Sequence, residues 1–66
     1  MATDYERGRS DTLDSLRDEA SEAKSEGSLS QGLNQAWNQT VVNTNPFSSD
    51  DYKAGANDAI DKLYND

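Results

Sequence analysis

The chain has 66 residues, a formal net charge of −7, and neither cysteine nor histidine. This length allows one domain, close to the lower limit at which a chain buries enough apolar surface to fold alone. Disulfides, zinc sites with thiolate or imidazole ligands, and catalytic triads that use histidine are therefore excluded.

The first predicted helix covers residues 4–24. Thr3 and Glu6 match a capping box, in which two side chains satisfy free backbone donors at the start of a helix. Gly27 is a residue type that commonly ends a helix. Apolar and small residues recur at helical spacing on one face of this segment, namely Tyr5, Thr12, Leu13, Leu16, Ala20 and Ala23.

The second predicted helix covers residues 30–42. It lies inside an uncharged stretch, 27–49, that is rich in Asn, Gln and Ser and contains Trp37, the single tryptophan. The simplest interpretation puts Trp37 in the core with Leu33 and Val41. Charge depletion around an aromatic residue is also typical of the centre of a protein interface. In that alternative the polar face would contact a partner at little desolvation cost, and this face consists of Asn34, Gln35, Asn38 and Gln39.

The third predicted helix covers residues 50–64. Asn45 precedes Pro46, and the residue before a proline avoids helical backbone angles, so the chain breaks there. Asp50 and Asp51 in the first turn suit the helix dipole. The apolar stripe of this helix contains Tyr52, Ala56, Ala59, Ile60 and Leu63.

A repeated pattern connects the first and third helices, at residues 4–19 and 51–66. The identical pairs are Asp4/Asp51, Tyr5/Tyr52, Gly8/Gly55, Asp11/Asp58, Asp14/Asp61 and Leu16/Leu63. The Tyr and Leu positions cluster on one side of each helix, and the glycines lie at the edge of that stripe. Glycine costs about 1 kcal/mol relative to alanine inside a helix. Its recurrence at the same phase therefore predicts close backbone approach to a neighbour.

These elements predict an all-α fold, a small three-helix bundle in a single domain over residues 1–66. Leu, Ile, Val and Phe make up less than a fifth of the chain, a composition too poor in apolar residues for a large core. Homodimerisation is one way to complete such a core, and folding on a partner is another.

The charge balance bears on partners and location. Lys and Arg neutralise the phosphates of nucleic acids and anionic membranes, so a chain of net charge −7 is expected to bind neither directly. No segment approaches the roughly 20 apolar residues of a membrane span, and residues 1–10 do not resemble a secretory signal. We therefore expect a cytosolic protein with a protein partner.

No catalytic, cofactor-binding or metal-binding residues are predicted. Paired carboxylates are abundant, but acid–base catalysis requires a pocket that separates their pKa values. A chain of this size cannot easily enclose such a pocket. The sequence therefore predicts a protein that is not an enzyme and uses no cofactor.

Two surfaces are candidates for partner binding. The first is an acidic face formed by Asp11, Asp14, Asp18, Asp58 and Asp61. Its simplest role is a solvated surface, but carboxylates spaced along helices can also imitate a series of phosphates and engage a basic protein. Small acidic accessory or inhibitory proteins of phages and mobile elements have similar compositions. The expected function is therefore that of a non-enzymatic binding or inhibitory protein that engages a basic protein surface through its acidic face. The second surface is the uncharged helix around Trp37, and the alternative function is a structural or oligomerising module that uses it.

Overall fold

The computed structural model describes residues 3–65 and contains three helices, α1 (Asp4–Glu26), α2 (Ser28–Thr44) and α3 (Asp50–Asn65). The helices pack against one another with no strand among the described residues. The predicted all-α three-helix bundle is therefore confirmed, with helix bounds that differ from the predicted ones by no more than two residues. Residues 1, 2 and 66 of the predicted domain lie outside the described residues.

The start of α1 and its junction with α2 follow from local chemistry. The backbone N–H of Glu6 donates to the Thr3 hydroxyl oxygen at 3.1 Å, which is half of the predicted capping box. The Glu6 carboxylate accepts from the Thr3 hydroxyl at 3.3 Å and not from the Thr3 backbone. Gly27 alone separates α1 from α2. Its backbone φ is 122°, a value that residues other than glycine rarely adopt.

Ser49 joins the start of α3 to the start of α1. Its hydroxyl accepts from the backbone N–H of Tyr52 at 3.2 Å and donates to the Asp4 carboxylate at 3.0 Å. At the other end, Ala20 and Ala23 of α1 pack against the last turns of α3. The helices α1 and α3 therefore run in the same direction, and α2 runs in the opposite direction beside them.

The core lies between α1 and α3 and is built mainly from small residues. Ile60 and Tyr64 are fully buried, and burial of a side chain such as Ile60 contributes about 1.5–3 kcal/mol. The other buried hydrophobic residues are Ala20, Ala23, Ala56 and Ala59. The predicted stripe of α3 is confirmed at Ala56, Ala59 and Ile60. Tyr64, which the stripe did not include, is the largest fully buried side chain.

The two repeated glycines allow α1 and α3 to touch backbone to backbone. A Cβ added to Gly8 would overlap the backbone carbonyl of Tyr52, and a Cβ added to Gly55 would overlap the backbone carbonyl of Tyr5. Close approach of this kind brings Cα–H groups against carbonyl oxygens, a contact that recurs between helices. The predicted close approach at the repeated glycines is confirmed, and it is reciprocal.

Replacing these glycines tests the close approach. Gly8→Ala and Gly55→Ala should each lower the free energy of unfolding by about 1–3 kcal/mol, because the methyl group forces the helices apart. Gly32→Ala on α2 is the matched control, since nothing lies within 4 Å of a Cβ there, and it should stabilise by about 0.5–1 kcal/mol. Urea denaturation followed by circular dichroism measures all three. Equal effects at the three positions would contradict the reciprocal contact.

Candidate interaction surfaces

Reciprocal tyrosine–carboxylate hydrogen bonds border the glycine contact. The Tyr52 hydroxyl donates to Asp11 at 2.7 Å, and the Tyr5 hydroxyl donates to Asp58. Each pair joins a tyrosine of one repeat to an aspartate of the other. The repeat is therefore a structural correspondence, in which equivalent residues of α1 and α3 make equivalent contacts across an approximate two-fold axis.

These carboxylates change the ionisation of the tyrosines. The hydrogen bond to Asp58 is the main reason that the pKa of Tyr5 lies above its ordinary value of 10.0, with desolvation and the negative charge of Asp58 adding to it. The hydrogen bond to Asp11 raises the pKa of Tyr52 in the same way. In both pairs the neutral phenol is the form that the folded chain favours.

The acidic residues predicted to bind a partner do not form one uniform outward face. Asp11 and Asp58 accept tyrosine hydroxyls across the α1–α3 contact, and Asp61 lies 3.5 Å from the side-chain amides of two α2 residues. Asp14 and Asp18 are exposed and, within residues 3–65, accept no hydrogen bond. Three of the five carboxylates thus have structural contacts, although all five are solvent-exposed.

Amide side chains form the inner face of α2. This amide stripe consists of Gln31, Asn34, Gln35, Asn38 and Gln39, all half-buried or buried. Asn38 donates to the hydroxyl of Tyr64 at 2.8 Å, and that hydroxyl donates to Asn34. Asn34 also donates to Glu19 of α1 at 2.9 Å, and Gln31 donates to the backbone carbonyl of Tyr64 near the end of α3. The stripe satisfies the buried phenol, as a buried tyrosine requires.

The large apolar side chains of α2 face solvent. Trp37 is 65% exposed, Leu33 66% and Leu29 78%, while Val41 is about half exposed. The prediction that Trp37, Leu33 and Val41 form core is therefore wrong. The core position opposite α2 is taken by Tyr64, whose hydroxyl needs hydrogen-bond partners that amides supply and leucines cannot. We call Leu29, Leu33, Trp37 and Val41 the apolar face of α2.

The observed orientation of α2 also reverses the predicted role of its polar face. Asn34, Gln35, Asn38 and Gln39 were expected to meet a partner if Trp37 marked an interface, and they instead contact the chain's own α1 and α3. Their recurrence at helical spacing is visible in the sequence. The recurrence shows that they share a face, but the buried phenol that selects that face lies on another helix.

The described residues contain no cluster typical of a metal-binding site. Within residues 3–65 no three carboxylates come together as ligands for a metal ion. None of the helices in that part of the chain is both long and apolar enough to cross a membrane. No protein-family model matches the chain, and no curated protein or solved structure matches it either.

One buried aromatic residue, Tyr64, and one exposed aromatic residue, Trp37, test the orientation of α2. Tyr64→Phe should lower the free energy of unfolding by about 1–3 kcal/mol, because it leaves Asn34 and Asn38 without their shared partner. Trp37→Gln should change it by less than about 0.5 kcal/mol, as is usual for a surface substitution. Denaturant unfolding of both variants checks the ranking. If α2 buried Trp37, the ranking would be reversed.

The tyrosine–carboxylate pairs predict a loss of stability at alkaline pH. Because the pKa of Tyr5 and of Tyr52 is higher in the folded chain than the ordinary 10.0, their contribution is complete below pH 10.0. It is lost as pH rises through the folded-state values. Urea midpoints from about pH 9 to about pH 11 should fall less steeply for the double variant Tyr5→Phe/Tyr52→Phe than for the wild type.

Tyr64 also contributes to the alkaline loss of stability in that experiment. Burial raises its pKa as well, so the double variant should keep part of the alkaline loss. Identical pH dependence in the wild type and the double variant would show that Tyr5 and Tyr52 do not contribute to the alkaline loss of stability.

Proposed function

We propose that this protein is a non-enzymatic interaction module that binds another protein through the apolar face of α2. The observation that carries the proposal is the inverted orientation of that helix. Its amide side chains are turned toward α1 and α3, while Trp37 and two leucines are turned outward. In a chain whose buried core is mostly alanine, four large apolar side chains of α2 are left exposed to water.

Burial of this face would be favourable. Moving a leucine side chain from solvent to an apolar environment contributes about 1.5–3 kcal/mol, and a cluster of exposed apolar residues commonly marks an interaction site. Tryptophan at such a position is the residue type most enriched among interface residues that dominate binding energy. Leu33 and Trp37 lie one helical turn apart near the middle of the face.

The surroundings of the face also favour association. Residues 27–49 contain no charged side chain, so a partner that covers α2 displaces no strongly hydrated ion. The Thr40 hydroxyl donates to the Ala36 carbonyl at 2.8 Å, and the Thr44 hydroxyl donates to the Thr40 carbonyl at 2.7 Å. These hydroxyls are therefore satisfied within α2 and would lose little when water is excluded.

A second candidate is binding of a basic protein through the acidic face, as an inhibitor that mimics nucleic-acid charge would do. Exposed Asp14 and Asp18 and the net charge of −7 support it. Two observations weigh against it as the main function. Asp11 and Asp58 already accept tyrosine hydroxyls, and Arg9 and Arg17 border the same surface groove as Asp14. The cytosolic location remains a prediction, which fractionation would check.

Affinity capture with paired variants distinguishes the two surfaces. The wild type, Leu33→Gln/Trp37→Gln and Asp14→Lys/Asp18→Lys serve as baits at low and high salt. We expect recovery of the bound protein to fall at least tenfold with Leu33→Gln/Trp37→Gln, the α2 variant. Recovery should be unchanged with Asp14→Lys/Asp18→Lys, the charge variant. Recovery should persist at high salt, because screening weakens charge pairs far more than apolar contacts.

Circular dichroism of each bait is the control, because a binding loss is informative only when helicity is unchanged. Both positions of the α2 variant are exposed, so we expect it to fold normally. Salt-sensitive recovery that disappears with Asp14→Lys/Asp18→Lys, and not with the α2 variant, would transfer the function to the acidic face.

A further inference from the structure

We infer that the partner of the apolar face of α2 is a second copy of this chain, related to the first by a two-fold axis. The inference rests on the proposed function, since it names the occupant of the same surface. It predicts a reversible homodimer in which α2 packs against α2.

The shape of the apolar face of α2 suits a second copy of the chain. Its large residues are spaced four apart and form a ridge along the helix; these are Leu29, Leu33, Trp37 and Val41. A parallel row of small residues lies beside the ridge and consists of Gly32, Ala36 and Thr40, all exposed. Nothing lies within 4 Å of a Cβ at Gly32. The face therefore carries a ridge and, next to it, a groove.

This combination is self-complementary. Rows of residues four apart are the ridges that interdigitate when two helices cross at the commonest packing angle. A two-fold axis places the same patch of both copies in contact, so each copy must supply both the projecting and the receiving element. A crossing near Ala36, the midpoint of α2, sets the ridge of each copy against the groove of the other.

The distribution of charge also favours a second copy as the partner. All 13 acidic residues lie outside residues 27–49, and 12 of them are on α1 and α3, the helices that α2 packs against. Two copies that each carry a net charge of −7 repel one another in most orientations. Contact through α2 brings together the uncharged helix of each copy, and Glu26 of α1 borders the groove that Leu33 and Trp37 line. Because α2 has no charged residue, it is the part of this acidic chain that a second copy can approach with the least electrostatic repulsion.

The size of the apolar face sets the expected affinity of the dimer. The 17 residues of α2 make a face about 25 Å long and about 10 Å across. This is smaller than the roughly 800 Å² that each partner buries in a standard stable interface. We therefore expect association that is visible at micromolar to millimolar concentrations and reverses on dilution.

Cross-linking locates the interface directly, because the wild-type chain contains no cysteine. Ala36→Cys with a short bismaleimide reagent should give covalent dimer at a rate at least tenfold above that of Ser21→Cys. Ser21 is an exposed position on α1 and serves as the matched control. Equal rates for the two variants would overturn the proposed interface, whether or not a dimer forms.

Sedimentation equilibrium tests the dimer without a cross-link. The wild type should shift from monomer to dimer over the concentration range, and added salt should strengthen the dimer by screening the repulsion between copies. Gly32→Gln fills the groove at an open position and should weaken dimerisation at least tenfold while leaving helicity unchanged. The emission of Trp37 should move to shorter wavelength as dimer forms.

Two results would overturn the inference. One is a wild-type chain that remains monomeric at millimolar concentration with unchanged Trp37 emission, and the other is a dimer that Gly32→Gln does not weaken. If a monomeric chain nevertheless retains a foreign protein in a manner that Leu33→Gln/Trp37→Gln abolishes, the inference fails and the proposed function stands. If that variant also changes nothing in capture, both fail.

Discussion

The close contact between α1 and α3 at Gly8 and Gly55 is the constraint on which the rest of the fold depends. Because neither residue has a Cβ, each helix backbone reaches the carbonyl group of a tyrosine on the other helix. At that separation the phenol of each tyrosine reaches a carboxylate of the opposite helix, which gives the reciprocal pairs Tyr5–Asp58 and Tyr52–Asp11. The same proximity explains why alanines fill most of the buried core, since larger side chains would separate the helices.

The orientation of α2 follows from the surface that α1 and α3 present to it. The α1–α3 contact buries little that a leucine-rich helix could pack against, and the largest buried side chain, Tyr64, presents a hydroxyl toward α2. Amide side chains satisfy that hydroxyl, so α2 docks through its polar stripe. Its leucines and Trp37 are consequently left outside. A symmetric pair of acidic helices thus holds one uncharged helix in an orientation that displays its apolar side.

Sequence reasoning succeeded where a local rule or a comparison within the chain was sufficient. Helix bounds followed from caps, glycines and the break before Pro46, because these act over a few residues. Close backbone approach at Gly8 and Gly55 followed from their equivalent positions in the repeat, but those positions did not indicate which helix each glycine meets. The pairing of the repeat tyrosines with Asp11 and Asp58 was missed because helical phase alone assigned those aspartates to an outward face. An aspartate that flanks a close helix contact can be exposed and still bind the neighbouring helix.

The amino-acid sequence alone sets the number and extent of the helices, a close backbone approach at the two repeated glycines and the absence of histidine or cysteine chemistry. Each of these depends on residue identity and local spacing. Only the tertiary structure decides which side of α2 faces inward, because both of its faces have helical periodicity and neither is charged. The decision depends on Tyr64, which lies 26 residues after Asn38 in the chain and whose hydroxyl must be satisfied once it is buried. The exposed Trp37 is a consequence of that requirement.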